Sequence, residues 1–264
     1  MIELNIPNGN LGDTVLTTAL FKNNREGLIT LLDMPQLRRF ESLFYGFNVK
    51  IQYKPNIQSS IVDNRQKHLC QQYLDHFGII DNPIPQINVN IIDYFWAENY
   101  LSQYKNPLVI TTNVGGTGDK SNYWAQYRTF NPILMNELLE EYSKKYTLLH
   151  FGLSRDFLKK NYENEIDSFI KAPNCVEILD LPLNKLSACY KVIGKYFGLD
   201  TGDYHLMTAV GGKCNTLIND HHEIGYNYRS YIYTQELFGQ EKMRIKYTNF
   251  KNYKDSLKWI DFDY

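Results

Sequence analysis

Residues 198–212 read GLDTGDYHLMTAVGG and combine groups that bind phosphate. A short apolar strand ends at Asp200, and Thr201 and Gly202 lead into an apolar helix whose first turn holds His205. A helix N-terminus offers free backbone N–H groups and a partial positive charge, and glycine allows a ligand to approach the backbone closely. The stretch therefore predicts a site for a phosphate or diphosphate, with His205 as a further donor. The alternative is that Asp200 only caps the helix and His205 packs on its surface.

A second loop, NGNLGDTVLTTAL at residues 8–20, has the same arrangement near the start of the chain. Gly9 and Gly12 make a flexible turn from strand to helix, and Asp13 stands at the beginning of the helix. The positive helix end favours an ionised carboxylate, which is what a general base requires. The alternative is that Asp13 only stabilises the helix.

A third loop, TTNVGGTGDKSNYW at residues 111–124, follows a strand and carries Thr111, Thr112 and three glycines. Its Lys120 could reach a phosphate as a point charge. The alternative is a mobile surface loop with a solvated lysine.

The elements that must position these loops alternate along the chain. Short apolar runs are followed by segments of helical periodicity, which predicts βαβ units and parallel sheets. The first strand is predicted at 2–6 with its helix at 13–24, and a second series begins with the strand at 106–113. Ligands of open α/β sheets lie at the carboxyl ends of the strands, where all three loops fall. Two α/β halves are therefore expected to meet near residue 105.

Composition narrows the class of protein and its location. The chain has 264 residues and a net charge of −1, so no global field attracts it to nucleic acid or to an acidic membrane. Its four cysteines have no paired spacing and are predicted to be reduced thiols. No signal peptide or long apolar run is visible, so we expect no membrane span and a cytoplasmic location. Abundant Tyr, Asn, Lys and Ile are typical of AT-rich genomes such as those of phages, and the location would then be the host cytoplasm.

Taken in this order, the three loops resemble the heptosyltransferase family, the ADP-heptose:lipopolysaccharide glycosyltransferases of glycosyltransferase family 9. GDTVLTTAL is similar to the family's first loop and helix, and GLDTGDYHLMTAVG is similar to its D-[ST]-G-x-x-H-L-x-A-A signature. TTNVGGTGDKSNYW resembles the family's Thr-bearing loop followed by Lys and Trp.

This resemblance implies the GT-B fold, in which two Rossmann-like parallel-sheet domains face each other across a cleft, here with a reduced N-terminal domain. Residues 1–105 would form the acceptor-side domain and residues 106–235 the domain that binds the nucleotide sugar. Residues 236–264 are expected to form a helical segment that packs back on the N-terminal domain.

The resemblance also implies the roles of single residues. Asp13 would be the catalytic base, while Lys120 and His205 would stabilise the leaving diphosphate. The donor, a nucleotide-diphosphate sugar, would be bound by Gly12, Thr112, Asn113, Asp200, Thr201, Gly202 and Asp203. No cofactor and no metal are expected, because the only DxD pair, Asp261–Asp263, reads as a solvated tail.

Two acceptors and one other class of protein stay open at this point. The family implies a saccharide such as lipopolysaccharide core. The small first half and the phage-like composition leave room for a hydroxylated or hydroxymethylated pyrimidine in DNA, with Arg38 and Arg39 as phosphate contacts. The other class is a non-catalytic nucleotide-sugar-binding protein, or a hydrolase of the same donor. The sequence indicates no oligomeric state.

Overall fold

The computed structural model describes residues 1–6, 10–59, 69–111, 132–153, 175–199, 201–219 and 244–247. Within these ranges the backbone forms two separate sheets whose strands are all parallel and alternate with helices. The α/β class that the sequence predicts is therefore confirmed.

The first sheet lies in the N-terminal half and has three strands in chain order. Its strands are β1 (Ile2–Ile6), β2 (Gly27–Leu32) and β3 (Val49–Lys54). The helices of this half are α1 (Leu11–Thr17), its 3₁₀ continuation (Thr18–Leu20), a 3₁₀ helix (Pro35–Phe44), α2 (Leu69–His76) and α3 (Ile91–Leu101).

The first helix is shorter than the prediction of residues 13–24. It begins at Leu11, and its 3₁₀ continuation ends at Leu20. Asn23 and Asn24 then adopt φ values of 58° and 57°. Asparagine is one of the few residues other than glycine that visits this left-handed region routinely, so the two asparagines turn the chain into β2.

The second sheet has six strands in the order β6-β5-β4-β7-β8-β9. Its strands are β4 (Pro107–Thr111), β5 (Thr147–Gly152), β6 (Cys175–Leu179), β7 (Lys195–Leu199), β8 (Lys213–Asn219) and β9 (Arg244–Tyr247). Its helices are α4 (Pro132–Ser143), α5 (Leu183–Ile193) and α6 (Gly202–Ala209). The central strand β4 carries the run Leu108–Ile110, which is completely buried because helices cover a parallel sheet on both faces.

The C-terminal segment differs from its prediction at the residues that the structure describes. The sequence analysis predicts helix within 236–264, but Arg244–Tyr247 form strand β9 at the edge of the second sheet. The sequence RIKY alternates charged residues with Ile and Tyr, which is the two-residue period of a strand and favours β structure. The rest of 236–264, and its packing on the N-terminal half, lie outside the described residues.

Contacts between the halves are concentrated on α5 and α6. Helix α1 of the first half packs along α6, and α3 and the 3₁₀ helix Pro35–Phe44 pack against α5. At the end of α6, the Ile87 backbone N–H donates to the carbonyl of Ala209 at 2.9 Å. Helix α6 is thus attached to the N-terminal half at both of its ends.

Candidate active site

The topology of the second sheet fixes where a ligand should bind. The chain builds outward from β4 through β5 to β6, and then returns to the other side of β4 with β7. Ligands of open α/β sheets bind at the carboxyl ends of the strands where the order reverses, which here are β4 and β7. Thr111 ends β4 and Leu199 ends β7, and α6 begins directly afterwards at Gly202.

At this point a glycine of β7 faces the backbone of β4. Gly198 of β7 is the register partner of Thr111. A Cβ atom on Gly198 would lie 2.7 Å from the Thr111 backbone nitrogen and would also collide with the Thr111 carbonyl oxygen and Oγ1. Only glycine therefore fits at this position of the strand.

A buried group of hydroxyls fixes the start of the turn. The Leu199 backbone N–H donates to Thr111 Oγ1 at 3.2 Å, and the Tyr196 hydroxyl donates to the Leu199 carbonyl at 2.5 Å. Thr111 Oγ1 and the Tyr196 hydroxyl are also hydrogen-bonded to each other. Burial raises the pKa of Tyr196 well above the ordinary value of tyrosine, so it stays a hydroxyl donor.

Thr201 stands at the N-cap position of α6 but does not cap the helix. Its side chain makes no hydrogen bond to the backbone N–H groups of the first turn. Instead, Thr201 Oγ1 lies 3.4 Å from the Tyr196 hydroxyl and 3.5 Å from Asp203 Oδ2. A threonine at this position normally accepts a hydrogen bond from the second or third amide of the helix. The first turn of α6 therefore receives no cap from this threonine.

Asp203, a predicted donor-binding residue, is held by protein groups. The Tyr190 hydroxyl donates to Asp203 Oδ1 at 2.8 Å. Burial raises the pKa of the Asp203 carboxyl, whereas the Tyr190 hydrogen bond and the nearby His150 and Arg39 side chains favour the ionised form. The carboxylate is thus part of the support beneath the turn.

Asp13 is fixed by the residue that caps α1. Asn10 Oδ1 accepts from the Asp13 backbone N–H at 2.8 Å, and Asn10 Nδ2 donates to Asp13 Oδ2 at 2.6 Å. This reciprocal pairing of the N-cap residue with the third residue of the helix is related to a capping box. It leaves Asp13 half-buried and orients its carboxylate at the positive end of α1.

The first turns of α1 and α6 contact each other through two glycines. A Cβ atom on Gly12 would lie 3.0 Å from His205 Cδ2 and 3.6 Å from the Gly202 Cα. A Cβ atom on Gly202 would lie 2.8 Å from the Leu11 Cβ and 3.1 Å from the Gly12 backbone nitrogen. The structure therefore brings the Gly12–Asp13 turn of the first half to the Thr201–His205 turn of the second.

Gly202→Ala should destabilise the protein by about 2 kcal/mol, because the new methyl group overpacks a contact between two backbones. For a chain of this size we expect the melting temperature to fall by about 4–8 °C. Calorimetry measures the change. In a Leu11→Gly background, which lacks one of the two clashing Cβ atoms, Gly202→Ala should cost less than it does in the wild-type protein. A Gly202→Ala protein as stable as wild type would contradict this packing.

The two arginines predicted to contact an acceptor or nucleic acid differ in exposure and in charge partners. Arg38 is exposed, forms an ion pair with Asp33 at 3.3 Å and lies over the Tyr53 ring. Arg39 is half-buried, and its charge acts on the Asp203 carboxylate of the other half.

Four predicted site residues lie outside the described residues, namely Thr112, Asn113, Lys120 and Asp200. In the described ranges no group of three or more His, Cys, Asp or Glu side chains could hold a metal ion. None of the described helices is long and apolar enough to span a bilayer.

Four residues that support the site were not predicted from the sequence, namely Asn10, His150, Tyr190 and Tyr196. The role of Asn10 could have been predicted, since its position three residues before Asp13 fits a capping box. His150 could also have been singled out, because it is a polar residue inside the apolar strand TLLHFG. The two tyrosines read as ordinary core aromatics, and nothing in their spacing indicates which groups their hydroxyls reach.

The two parallel sheets have the arrangement of the GT-B fold, as the loops of the sequence indicate. Among solved structures, a glycosyltransferase family 9 protein from Veillonella parvula matches 96% of this chain and 87% of its own at a TM-score of 0.60 and 14% identity. The ADP-heptose lipopolysaccharide heptosyltransferase II of Escherichia coli matches 91% of this chain and 99% of its own at 12% identity, but its TM-score of 0.48 is too low to support an argument. The expected resemblance is thus confirmed at the level of the fold.

The sequence comparisons found no match. No protein-family model matches the chain, and no curated protein sequence matches it significantly. The comparisons also give no support to a phage origin or to a DNA acceptor.

Proposed function

We propose that this protein is a metal-independent, inverting glycosyltransferase that transfers a sugar from a nucleotide-diphosphate donor to an acceptor hydroxyl. The observation that carries the proposal is the contact between the turn bearing Asp13 and the first turn of α6. The GT-B fold supports it, because the two turns belong to opposite halves of that fold.

In the proposed reaction the donor diphosphate lies at the start of α6. The backbone amides of its first turn, which the Thr201 side chain does not cap, and the positive helix end favour an anion there. His205 is buried beside Gly12 and would add a donor, and Lys120 would add a positive charge. Because charge develops on the diphosphate as the bond to the sugar breaks, fixed donors stabilise the transition state more than the ground state.

Asp13 would act as the general base. The acceptor oxygen attacks the anomeric carbon while its proton passes to the Asp13 carboxylate. The bond between the anomeric carbon and the diphosphate oxygen breaks, and its electron pair leaves with the nucleoside diphosphate. A single displacement of this kind inverts the anomeric centre. The acceptor would be a saccharide such as lipopolysaccharide core, and the sugar a heptose, a hexose or a pentose.

A thermal-shift panel of nucleotides and nucleotide sugars tests donor binding. A ligand at 100 times its dissociation constant adds ~2.7 kcal/mol of stability, which corresponds to a rise of about 5–10 °C in melting temperature. We expect at least one nucleoside diphosphate and its sugar to give such a rise. A panel without any shift would contradict the proposal.

An incubation of donor with and without saccharide acceptors tests the reaction. Transfer only in the presence of acceptor is the expected result. Hydrolysis of the donor without transfer would identify a hydrolase, and tight binding without either reaction would identify a non-catalytic binder.

A further inference from the structure

The side chain of Tyr190 in α5 contacts the first turn of α6. Its side chain is completely buried, and its ring packs edge-on against Phe151 with 5.3 Å between the ring centroids. Its hydroxyl donates to Asp203 Oδ1 at 2.8 Å, and burial keeps the pKa of Tyr190 well above its ordinary value. The phenol is therefore a fixed donor to this carboxylate.

The Thr201 hydroxyl lies near the same group of residues. Tyr196 gives its own proton to the Leu199 carbonyl, so toward Thr201 it can only accept. The nearest acceptors of Thr201 are thus the Tyr196 oxygen at 3.4 Å and Asp203 Oδ2 at 3.5 Å. Both distances are long for hydrogen bonds between oxygen atoms, so these contacts hold the Thr201 hydroxyl only weakly.

The backbone amides at the start of α6 would be the main donors to an anion at this turn. Their position depends on the residues that hold the turn, because Thr201 supplies no side-chain cap. The Asp203 carboxylate connects the turn to α5 through Tyr190, and Tyr196 connects it to the end of β7. Neither tyrosine is part of the turn itself.

We propose that Tyr190 is a positioning residue for the donor diphosphate, which acts through Asp203 and does not touch the donor. The inference rests on the proposed function, since it names the group that holds the proposed phosphate-binding turn. It assigns to a buried aromatic residue of α5 an effect on the affinity for nucleoside diphosphates.

Tyr190→Phe removes one hydroxyl and leaves the packed ring in place. Losing a hydrogen bond to a charged group should raise the dissociation constant of the nucleoside diphosphate about 10-fold. The probe is whichever of ADP, GDP, CDP and UDP gives the largest thermal shift with the wild-type protein, and titration calorimetry measures its affinity. In transfer assays the KM for the nucleotide sugar should rise similarly, while kcat stays within about twofold.

Tyr142→Phe is the matched control. Tyr142 is also a buried tyrosine packed on the second sheet, and its hydroxyl accepts a hydrogen bond from Asn215 Nδ2 at 3.2 Å. Removing the Tyr142 hydroxyl tests the general effect of losing a buried phenol hydroxyl, and we expect no change in nucleotide affinity. An equal loss of affinity in both variants would overturn the inference.

A double-mutant cycle separates positioning from a general loss of stability. If Tyr190 acts through Asp203, then Tyr190→Phe should weaken binding no further in an Asp203→Ala background. Additive effects of the two changes would overturn the inference. A wild-type protein that binds none of the four nucleotides would overturn both the proposed function and this inference, whereas unchanged binding by Tyr190→Phe would overturn the inference alone.

Discussion

Asp13→Asn should lower the turnover of sugar transfer by roughly 10²–10⁴-fold, the usual contribution of a general base. The asparagine amide has the shape of the carboxylate but cannot take up the proton of the attacking hydroxyl group. Its oxygen can still accept from Asn10 Nδ2, and its backbone N–H can still donate to Asn10 Oδ1, so the start of α1 should be preserved. Donor affinity should stay close to that of wild type.

The matched control for this prediction is Glu26→Gln. Glu26 is exposed and immediately precedes β2, so it lies at the amino end of the first sheet, opposite to the edge that carries Asp13. The measurement is steady-state transfer together with titration of the nucleoside diphosphate. Normal turnover by Asp13→Asn would show that another group accepts the proton. A parallel loss of donor affinity would instead indicate damage to the contact between α1 and α6.

Gly198→Ala should destabilise the protein by about 3 kcal/mol, at the upper end of the usual cost of overpacking. The new methyl group would collide with backbone atoms of Thr111, which unlike a flexible side chain cannot rotate away. Both strands are central in the six-stranded sheet, so neither can move outward without disturbing its other neighbour. Chemical denaturation measures the free energy of unfolding, and we expect the melting temperature to fall by about 6–12 °C.

Gly152→Ala provides the comparison within the same sheet. Gly152 ends β5, and a Cβ atom there would lie 3.4 Å from His150 Cε1, the tip of a side chain. The substitution should therefore cost far less than Gly198→Ala. Equal losses of stability would mean that glycine is required in these strands for a reason other than the approach of β4 and β7.

Much of the fold follows from patterns within short segments. The apolar runs at 2–6 and 106–113 predict β1 and β4, and both strands are present. Secondary structure was predicted less well where the local residue pattern is mixed. RIKY lies in a segment rich in Tyr and Lys, and its two-residue alternation is too short to stand out until the neighbouring strand β8 pairs with it.

The candidate site was predictable one loop at a time but not as an assembled unit. Two of the loops indicate a strand followed by a helix N-terminus, the third follows a strand, and a family resemblance places the three together. The fit of Gly12 against Gly202 depends on how two separate sheets are placed, which no local pattern encodes. The same holds for Tyr190, whose partner Asp203 lies on a different helix.

The attachment of α6 at both ends has a consequence for how the cleft could widen. Sliding the halves apart along this helix would break either the glycine contact at its beginning or the bond from Ile87 at its end. Turning one half around the axis of α6 would separate α3 and the 3₁₀ helix Pro35–Phe44 from α5, so that movement is opposed as well. The contacts that resist both movements also keep carboxylate 13 next to the first turn of α6.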